Sequence, residues 1–384
     1  MLRANNLKCY YNIKNMKRTE EKITVKAIIN KINEPILVGD KEYVPGEYLV
    51  ISISNNEDVY IPFGEFKKEW EKPSEKQVIT AKDSTGIFVG DSMGLQKPPE
   101  QTEIKRGPLY FILNKLDLNI KETAEDVYVS STQSIFLELP WEELKDNVYV
   151  FRKVISTNNY IDRDVKKHGM GILTSQAHII NGQEVASLKE KIKEEVKDII
   201  TLSHKIIDDE LPKSLKLVNL SLYLHLTRQQ FKDINFKDFS FLHFAMHGLS
   251  DGAVLLESDV SHNDGEKLSK KEILTILNDN TFNIIFLSYC FSGGDIEEQE
   301  GSLAFDIINK GISKYVISYK NTVGEGSAKE FALIFYGLLM NGIKDSQEQD
   351  DIENLYKKSL RDFFEKGKKI KNVPFLYIHE KQNI

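Results

Sequence analysis

Phe241-Leu-His-Phe-Ala-Met-His247-Gly248 and Asn283-Ile-Ile-Phe-Leu-Ser-Tyr-Cys290 are the two stretches on which the reading of this chain turns. Each is a short apolar run of the length of a buried strand. One ends in His-Gly and the other in Cys, with 43 residues (290 − 247) between the two side chains. In a parallel α/β sheet, reacting groups gather at the carboxyl ends of the strands. Two neighbouring strands with these ends put an imidazole and a thiol on one edge. That pair suffices for thiolate chemistry: the imidazole takes the thiol proton and sulfur attacks a carbonyl. Gly248 follows the histidine, and Gly293 and Gly294 lie just past the cysteine. Glycine lets backbone N–H groups approach a substrate closely, so the amides of Gly248 and Cys290 are the expected oxyanion donors.

Outward from these strands, apolar runs and helical periodicities alternate. Leu109–Leu113 and Gly169–Thr174 read as strands. Leu188, Ile192, Val196, Ile199 and Ile200 recur at helical spacing and predict an amphipathic helix over 183–207. A strand near 217–220 precedes the His strand, and a helix over 269–279 precedes the Cys strand. Beyond the cysteine come a helix over 302–310, the strand 315–318, helices over 326–341 and 348–366, and a last strand, 374–378. Such alternation predicts an α/β fold with a doubly wound, mostly parallel sheet over 109–384. Residues 1–108 read instead as a β-rich domain, with strand candidates at 23–29, 48–53, 59–61 and 86–90. The Pro-rich stretch 94–108 reads as the linker that closes it. No 34-residue self-similarity marks a helical repeat array.

The chain has 384 residues, enough for two domains. Its formal charge of −7, from 51 basic and 58 acidic residues, argues against a nucleic-acid footprint. Cys9 and Cys290 are its two cysteines, so a disulfide framework is not expected, and a reduced, cytoplasmic setting suits a working thiol. No apolar stretch has the length of a membrane span, and residues 1–10 lack the layout of a signal peptide.

The two site segments resemble those of the caspase-like cysteine peptidases, and more closely the CHAT branch of that clan, related to separase. Leu242-His-Phe-Ala-Met-His-Gly248 is similar to that branch's "L-H-F-A-x-H-G" segment, and Phe286-Leu-Ser-Tyr-Cys-Phe-Ser-Gly293 resembles its "L-S-x-C-x-S-G" segment. Leu139-Pro-Trp-Glu-Glu-Leu144 resembles the "L-P-W-E-x-L" found near the start of many CHAT domains. Gly301–Phe305, Gly311 and Tyr315–Ser318 resemble the helix-then-strand unit after the nucleophile. The resemblance covers roughly 110–384. Departures from the clan are Ser288-Tyr-Cys-Phe-Ser in place of Q-A-C-x-G, and Tyr319–Gly324 in place of a common Trp and Asp.

The resemblance implies a cysteine endopeptidase with Cys290 as nucleophile and His247 as general base. It also implies a dedicated protein substrate, a role in bacterial defence or signalling, and an activating protein or ligand upstream. Residues 1–108 then serve as a sensor, docking or inhibitory module. The acidic run 295–300 lies where caspase-like enzymes build their substrate loops, so Asp295 or Glu300 is a candidate to face a basic substrate side chain. A catalytically silent scaffold or binding module is the alternative, and a thiol acyl hydrolase a third reading.

His243 shares a strand face with His247 by parity and reads as structural. A zinc site from His243, His247 and Cys290 lacks the paired spacing of structural zinc sites, so neither metal nor cofactor is expected. Trp141 reads as a packing anchor, with Glu142 or Glu143 structural. The charged helices at 188–198 and 348–366 read as solvated faces. Residues 291–309 contain no Lys or Arg, so an enzyme selecting basic residues does not cut itself there.

Overall fold

Strands in which nearly every side chain is apolar have to be covered on both faces, and the central ones here are. The computed structural model describes residues 21–71 and 124–382, together with Leu109, Phe111 and Ile112. Excepted within those limits are 39, 54–57, 145–147, 162–168, 181, 185–188, 209–219, 250, 290–301, 321–324, 345–351 and 367–372. The strands in chain order are β1 (Glu21–Ile32), β2 (Ile36–Val38), β3 (Lys41–Tyr43), β4 (Gly46–Ile53), β5 (Val59–Pro62), β6 (Ala124–Ser131), β7 (Tyr149–Ser156) and β8 (Gly169–Thr174). Then come β9 (Ile179–Ile180), β10 (Gln183–Glu184), β11 (Leu220–Tyr223), β12 (Phe239–Ala245), β13 (His247–Gly248), β14 (Val254–Glu257), β15 (Gly265–Leu268), β16 (Phe282–Ser288), β17 (Ser313–Ser318) and β18 (Phe375–Lys381).

Eleven of them form one sheet in the order β11-β8-β12-β16-β17-β18-β7-β6-β1-β4-β5. From β11 to β17 all neighbours run parallel. β18 is antiparallel to β17, and β18, β7, β6 and β1 then run parallel to one another. β4 and β5 close the far edge antiparallel. The expected α/β class with a mostly parallel, doubly wound sheet is therefore the observed one.

The helices are α1 (Phe63–Glu71), α2 (Ser134–Leu137), α3 (Lys189–Asp208), α4 (Arg228–Asp233), α5 (Lys270–Leu277), α6 (Leu303–Asn309), α7 (Glu325–Lys344) and α8 (Ile352–Glu365). One face of the sheet is covered by α4, α5 and α6, whose Phe231, Ile273, Leu277, Phe305 and Ile308 pack with Leu242, Ile285 and Leu287. The other is covered by α3, α7 and α8, whose Ile192, Val196, Phe331, Phe335 and Tyr356 pack with Phe241, Ile284 and Phe286. Alternate residues of β12 and β16 thus go to opposite faces, as strand geometry requires.

The change of sequence pattern at 108 is not a break in the sheet. β1 pairs with β6, Val25 opposite Val129, and Val25 and Ala27 share one core with Trp141 and Leu242. The apolar face of β1 finds its cover there, so strands on both sides of the expected boundary lie in one structure. Leu109, Phe111 and Ile112 are helical, not the expected strand. Leu109 and Ile112 sit three apart and are both buried, the spacing of one helix face. The strand candidate at 86–90 and the linker at 94–108 lie outside the described residues.

Trp141 is fully buried, and its indole N–H donates to Phe136 O at 3.0 Å. Glu142 is structural as expected: its carboxylate takes Arg152 Nη1 at 2.6 Å and Nη2 at 2.8 Å. Arg152 Nε donates to Leu137 O at 2.8 Å, and its guanidinium lies 3.5 Å from the centre of the Phe375 ring. A charge in the middle of β7 is tolerated because its hydrogen bonds and its counter-ion are built around it.

Helix α6 ends in a glycine stop. Ile312 N–H bonds to Ile307 O and Gly311 N–H to Ile308 O, with Gly311 at φ +70°. A Cβ there would lie 2.8 Å from Asn159 O. Gly311→Ala is expected to destabilise the fold by about 1–3 kcal/mol from backbone strain alone. Equilibrium urea unfolding of the two proteins checks this.

Candidate active site at the carboxyl edge of the sheet

The connection leaving β8 crosses by α3 on one face, and the connection leaving β12 crosses by α5 on the other. The crevice between β8 and β12 is therefore a topological switch point, the usual ligand position in open α/β sheets. β12 borders it, and β16 lies next to β12 on the side away from β8. The β12–β16 ladder is regular: Phe241↔Ile284, Leu242↔Ile285, His243↔Phe286, Phe244↔Leu287 and Ala245↔Ser288. Every pair keeps one offset, 43 residues (288 − 245).

His247 comes two residues after the last of these pairs. The chain bends at Met246, and His247 and Gly248 form β13, paired antiparallel with Leu255 and Val254 of β14. The hairpin is closed by Leu249 N–H donating to Ala253 O at 2.9 Å. Hydrogen-bonded and non-hydrogen-bonded pairs alternate along an antiparallel ladder. Since 249 and 253 are a hydrogen-bonded pair, 248 and 254 are not, and the Gly248 N–H points away from β14. His247 and Gly248 are both half-buried, and the Nε2 atom of His247 is turned inward.

β16 delivers Tyr289, which is 2% exposed, and the next residue is Cys290. Cys290, Asp295 and Glu300 lie outside the described residues, with the rest of 290–301. The chain is held again at Ser302, 3% exposed, whose N–H donates to Glu138 Oε1 at 3.1 Å and whose hydroxyl accepts from Phe305 N–H at 3.0 Å. Burial pushes the Glu138 carboxyl above its ordinary value, against the Ser302 N–H and the nearby Lys320, which lower it. Lys320 Nζ donates to the Glu138 carbonyl, and Tyr319 is buried in the opposite core cluster. Tyr319 and Lys320 are thus turned into the protein.

Beneath the strand ends lies a buried polar group that the sequence reading did not foresee. His243 Nδ1 is 3.0 Å from Tyr336 Oη, and its Nε2 is 3.1 Å from Glu195 Oε1. Ser288 Oγ donates to the same Glu195 oxygen at 2.8 Å. Burial, then the Glu195 charge, hold the Tyr336 phenol well above its ordinary value, so it keeps its proton and donates to Nδ1. That leaves Nε2 of His243 to carry the ring proton toward Glu195. His243 is structural, as expected, with Nδ1 hydrogen-bonded to Tyr336 and Nε2 facing the Glu195 carboxylate. Glu195, by contrast, is not on a solvated face: it is 6% exposed. The signal was available, because Glu195 falls between Ile192, Val196 and Ile199 on the apolar stripe of α3. His243 lies four residues before His247 and Ser288 two before Cys290, so this group fixes the strand ends from behind.

Glu195→Ala strips the shared acceptor from both strands. It is expected to cost about 1–3 kcal/mol for each donor left unsatisfied. Thermal unfolding followed by circular dichroism reads the loss, and a melting curve equal to that of the parent protein refutes it.

Residues 183–351, the segment that contains both strand ends, match the family model of the CHAT domain. No curated protein sequence matches the chain. Among solved structures, the Arg-specific cysteine proteinase gingipain R is similar at a TM-score of 0.40 and 10% identity, over 71% of this chain and 66% of that one. The complex of Porphyromonas gingivalis RgpB pro- and mature domains is similar at 0.41 and 11% identity, over 71% of this chain and 68% of that one. Separase in the Saccharomyces cerevisiae separase–securin complex is similar at 0.39 and 10% identity, over 72% of this chain and 17% of that one. Among the described residues, no helix is long and apolar enough to cross a membrane. Over its matched segment 183–351, set in an α/β sheet, the chain is similar to the CHAT domain family.

Proposed function

We propose that this chain is a CHAT-type cysteine endopeptidase that uses His247 and Cys290 as a dyad. The observation that carries the reading is the constant offset of 43 residues between β12 and β16. Two more residues at that offset lead from Ala245 and Ser288 to His247 and Cys290. The last paired residues, Ala245 and Ser288, sit on adjacent strands about 4.8 Å apart, and each candidate side chain follows two residues on. The match of 183–351 to the CHAT domain supports the same pair.

In the reaction, His247 takes the Cys290 proton and the thiolate adds to the scissile carbonyl. The Gly248 N–H, turned away from β14, and the Cys290 N–H receive the oxyanion. Collapse breaks the C–N bond, and His247 passes its proton to the leaving amine. Water, deprotonated by His247, then cleaves the thioester and restores the thiol. The substrate is a protein segment in extended form. Asp295 and Glu300 supply negative charge beside it and favour a basic side chain. A reduced cytoplasm preserves the thiol, and a bacterial defence or signalling pathway is the setting that fits a switched protease.

The test is digestion of a proteome-derived peptide library by the wild-type chain, Cys290→Ala and His247→Ala. Both variants are expected to fold normally and to lose cleavage by at least about 1000-fold. Cleavage by Cys290→Ala at the wild-type rate overturns the reading.

Activation follows from how the chain is held around 290–301. Tyr289 and Ser302 are buried anchors, and Leu303, Ala304, Phe305, Ile307 and Ile308 of α6 pack in the core. A protease cannot reach backbone so buried, and 291–309 has no basic residue. The active enzyme is therefore expected to remain one chain, switched by a protein or ligand that reorders this stretch. Intact-mass measurement on the active enzyme checks it. A stable fragment pair divided between 291 and 309 speaks against both the single chain and the basic preference.

A further inference from the structure

His225, Glu257 and His262 come from three different segments and converge at the same edge of the molecule. His225 follows β11, Glu257 ends β14, and His262 lies in the turn between β14 and β15. One ligand atom from each lies within 4.8 Å of the other two. His225 Nδ1 is 3.1 Å from Glu257 Oε1 and 3.2 Å from Oε2, and His262 Nδ1 is 2.5 Å from Oε2. We propose that His225, Glu257 and His262 form a binding site for one divalent transition-metal ion of the zinc type, which braces the hairpin that carries His247.

Two imidazoles and one carboxylate are a donor set that zinc takes with a further position left open. Bonds of about 2.0–2.2 Å in a tetrahedron put ligand atoms roughly 3.3 Å apart. The two Nδ1 atoms already lie 2.5–3.2 Å from the Glu257 oxygens, near that spacing. Nitrogen donors select zinc and its transition-metal neighbours over calcium and magnesium.

The side chains are set in place by their surroundings. The Glu257 side chain is 0% exposed, and its Oε1 accepts from Gln176 N–H at 2.9 Å, the outer contact that orients a ligating carboxylate. A buried carboxylate needs a counter-charge. Among the described residues, no lysine or arginine pairs with Glu257; the two imidazoles and the Gln176 N–H face it, and a cation held by the imidazoles brings the counter-charge. His225 has φ +58°, a left-handed conformation that costs a non-glycine residue energy. It is kept there by Leu226, whose N–H bonds to Thr174 O and whose carbonyl accepts from Glu257 N–H, and by the Thr227–Gln230 capping box. The turn of His262 is tied by Ser258 N–H to Asp264 O, and Asn263 O accepts from His178 and Ile179 N–H. The His262 side chain is 71% exposed and leaves the outer coordination position open to solvent.

Glu257 lies on the same face of β14 as Leu255, two residues away, and Leu255 pairs with His247. An ion here joins the loop after β11, the end of β14 and the β14–β15 turn, and so fixes the strand against which His247 is held. Metal binding at these residues is independent of catalysis at Cys290.

The full-length protein, stripped with a chelator, is titrated with zinc ions by calorimetry and with cobalt(II) by visible absorption. One equivalent is expected, with tetrahedral cobalt bands and no thiolate charge-transfer band. His262→Ala, at a mostly exposed side chain, keeps the fold and weakens binding by at least about tenfold, or about 1.4 kcal/mol. Zinc slows amide exchange across 247–268 in the wild type and leaves it unchanged in His262→Ala. Absence of binding by the wild type, undiminished binding by His262→Ala and His225→Ala, or a cobalt spectrum dominated by thiolate each overturns the site. Unchanged exchange in the zinc-loaded wild type overturns its bracing role.

Discussion

The parallel pairing of β12 with β16 is the constraint on which the rest of this structure depends. Its register is pinned because side chains alternate between two dissimilar faces. A slip of one residue would put Leu242 or Phe244, according to its direction, where His243 meets Glu195, and would leave a buried imidazole in an apolar core. The same register brings the two strand ends level. Chemistry at the edge is thus a consequence of packing in the middle of the sheet.

Each face adds a polar tie to the edge. On one, Glu195 of α3 holds His243 and Ser288, one residue from each of the two strands. On the other, Glu138 holds the backbone of Ser302 where the chain re-enters the core. Both carboxylates are buried, and both are satisfied by specific donors, which is the condition for tolerating them. The chain is therefore fastened at Tyr289 and again at Ser302. The hairpin β13–β14–β15 does the corresponding work for His247. It turns the chain out of the sheet, fixes Gly248 with its N–H directed away from β14, and meets the loop after β11 at Glu257.

The sequence by itself determined the α/β alternation, the long helices and the main sheet strands from 169 onward, including the two apolar runs that become the neighbouring β12 and β16, but not the short strands β9, β10 and β13–β15 or helix α4. The features it determined are local: apolar runs and helical periodicities are written in consecutive residues. It did not disclose β6 and β7, because Asp126 and Arg152 interrupt their apolar runs, and their buried partners, Lys357 and Glu142, are far along the chain or across a corner. It read Leu109–Leu113 as a strand, since a short apolar run carries no period to separate strand from helix. Only the tertiary structure decided that β1, β4 and β5 extend the same sheet, that Glu195 faces inward, and that His225, Glu257 and His262 meet. These depend on contacts between residues distant in sequence, whose identities carry no local mark of their partners.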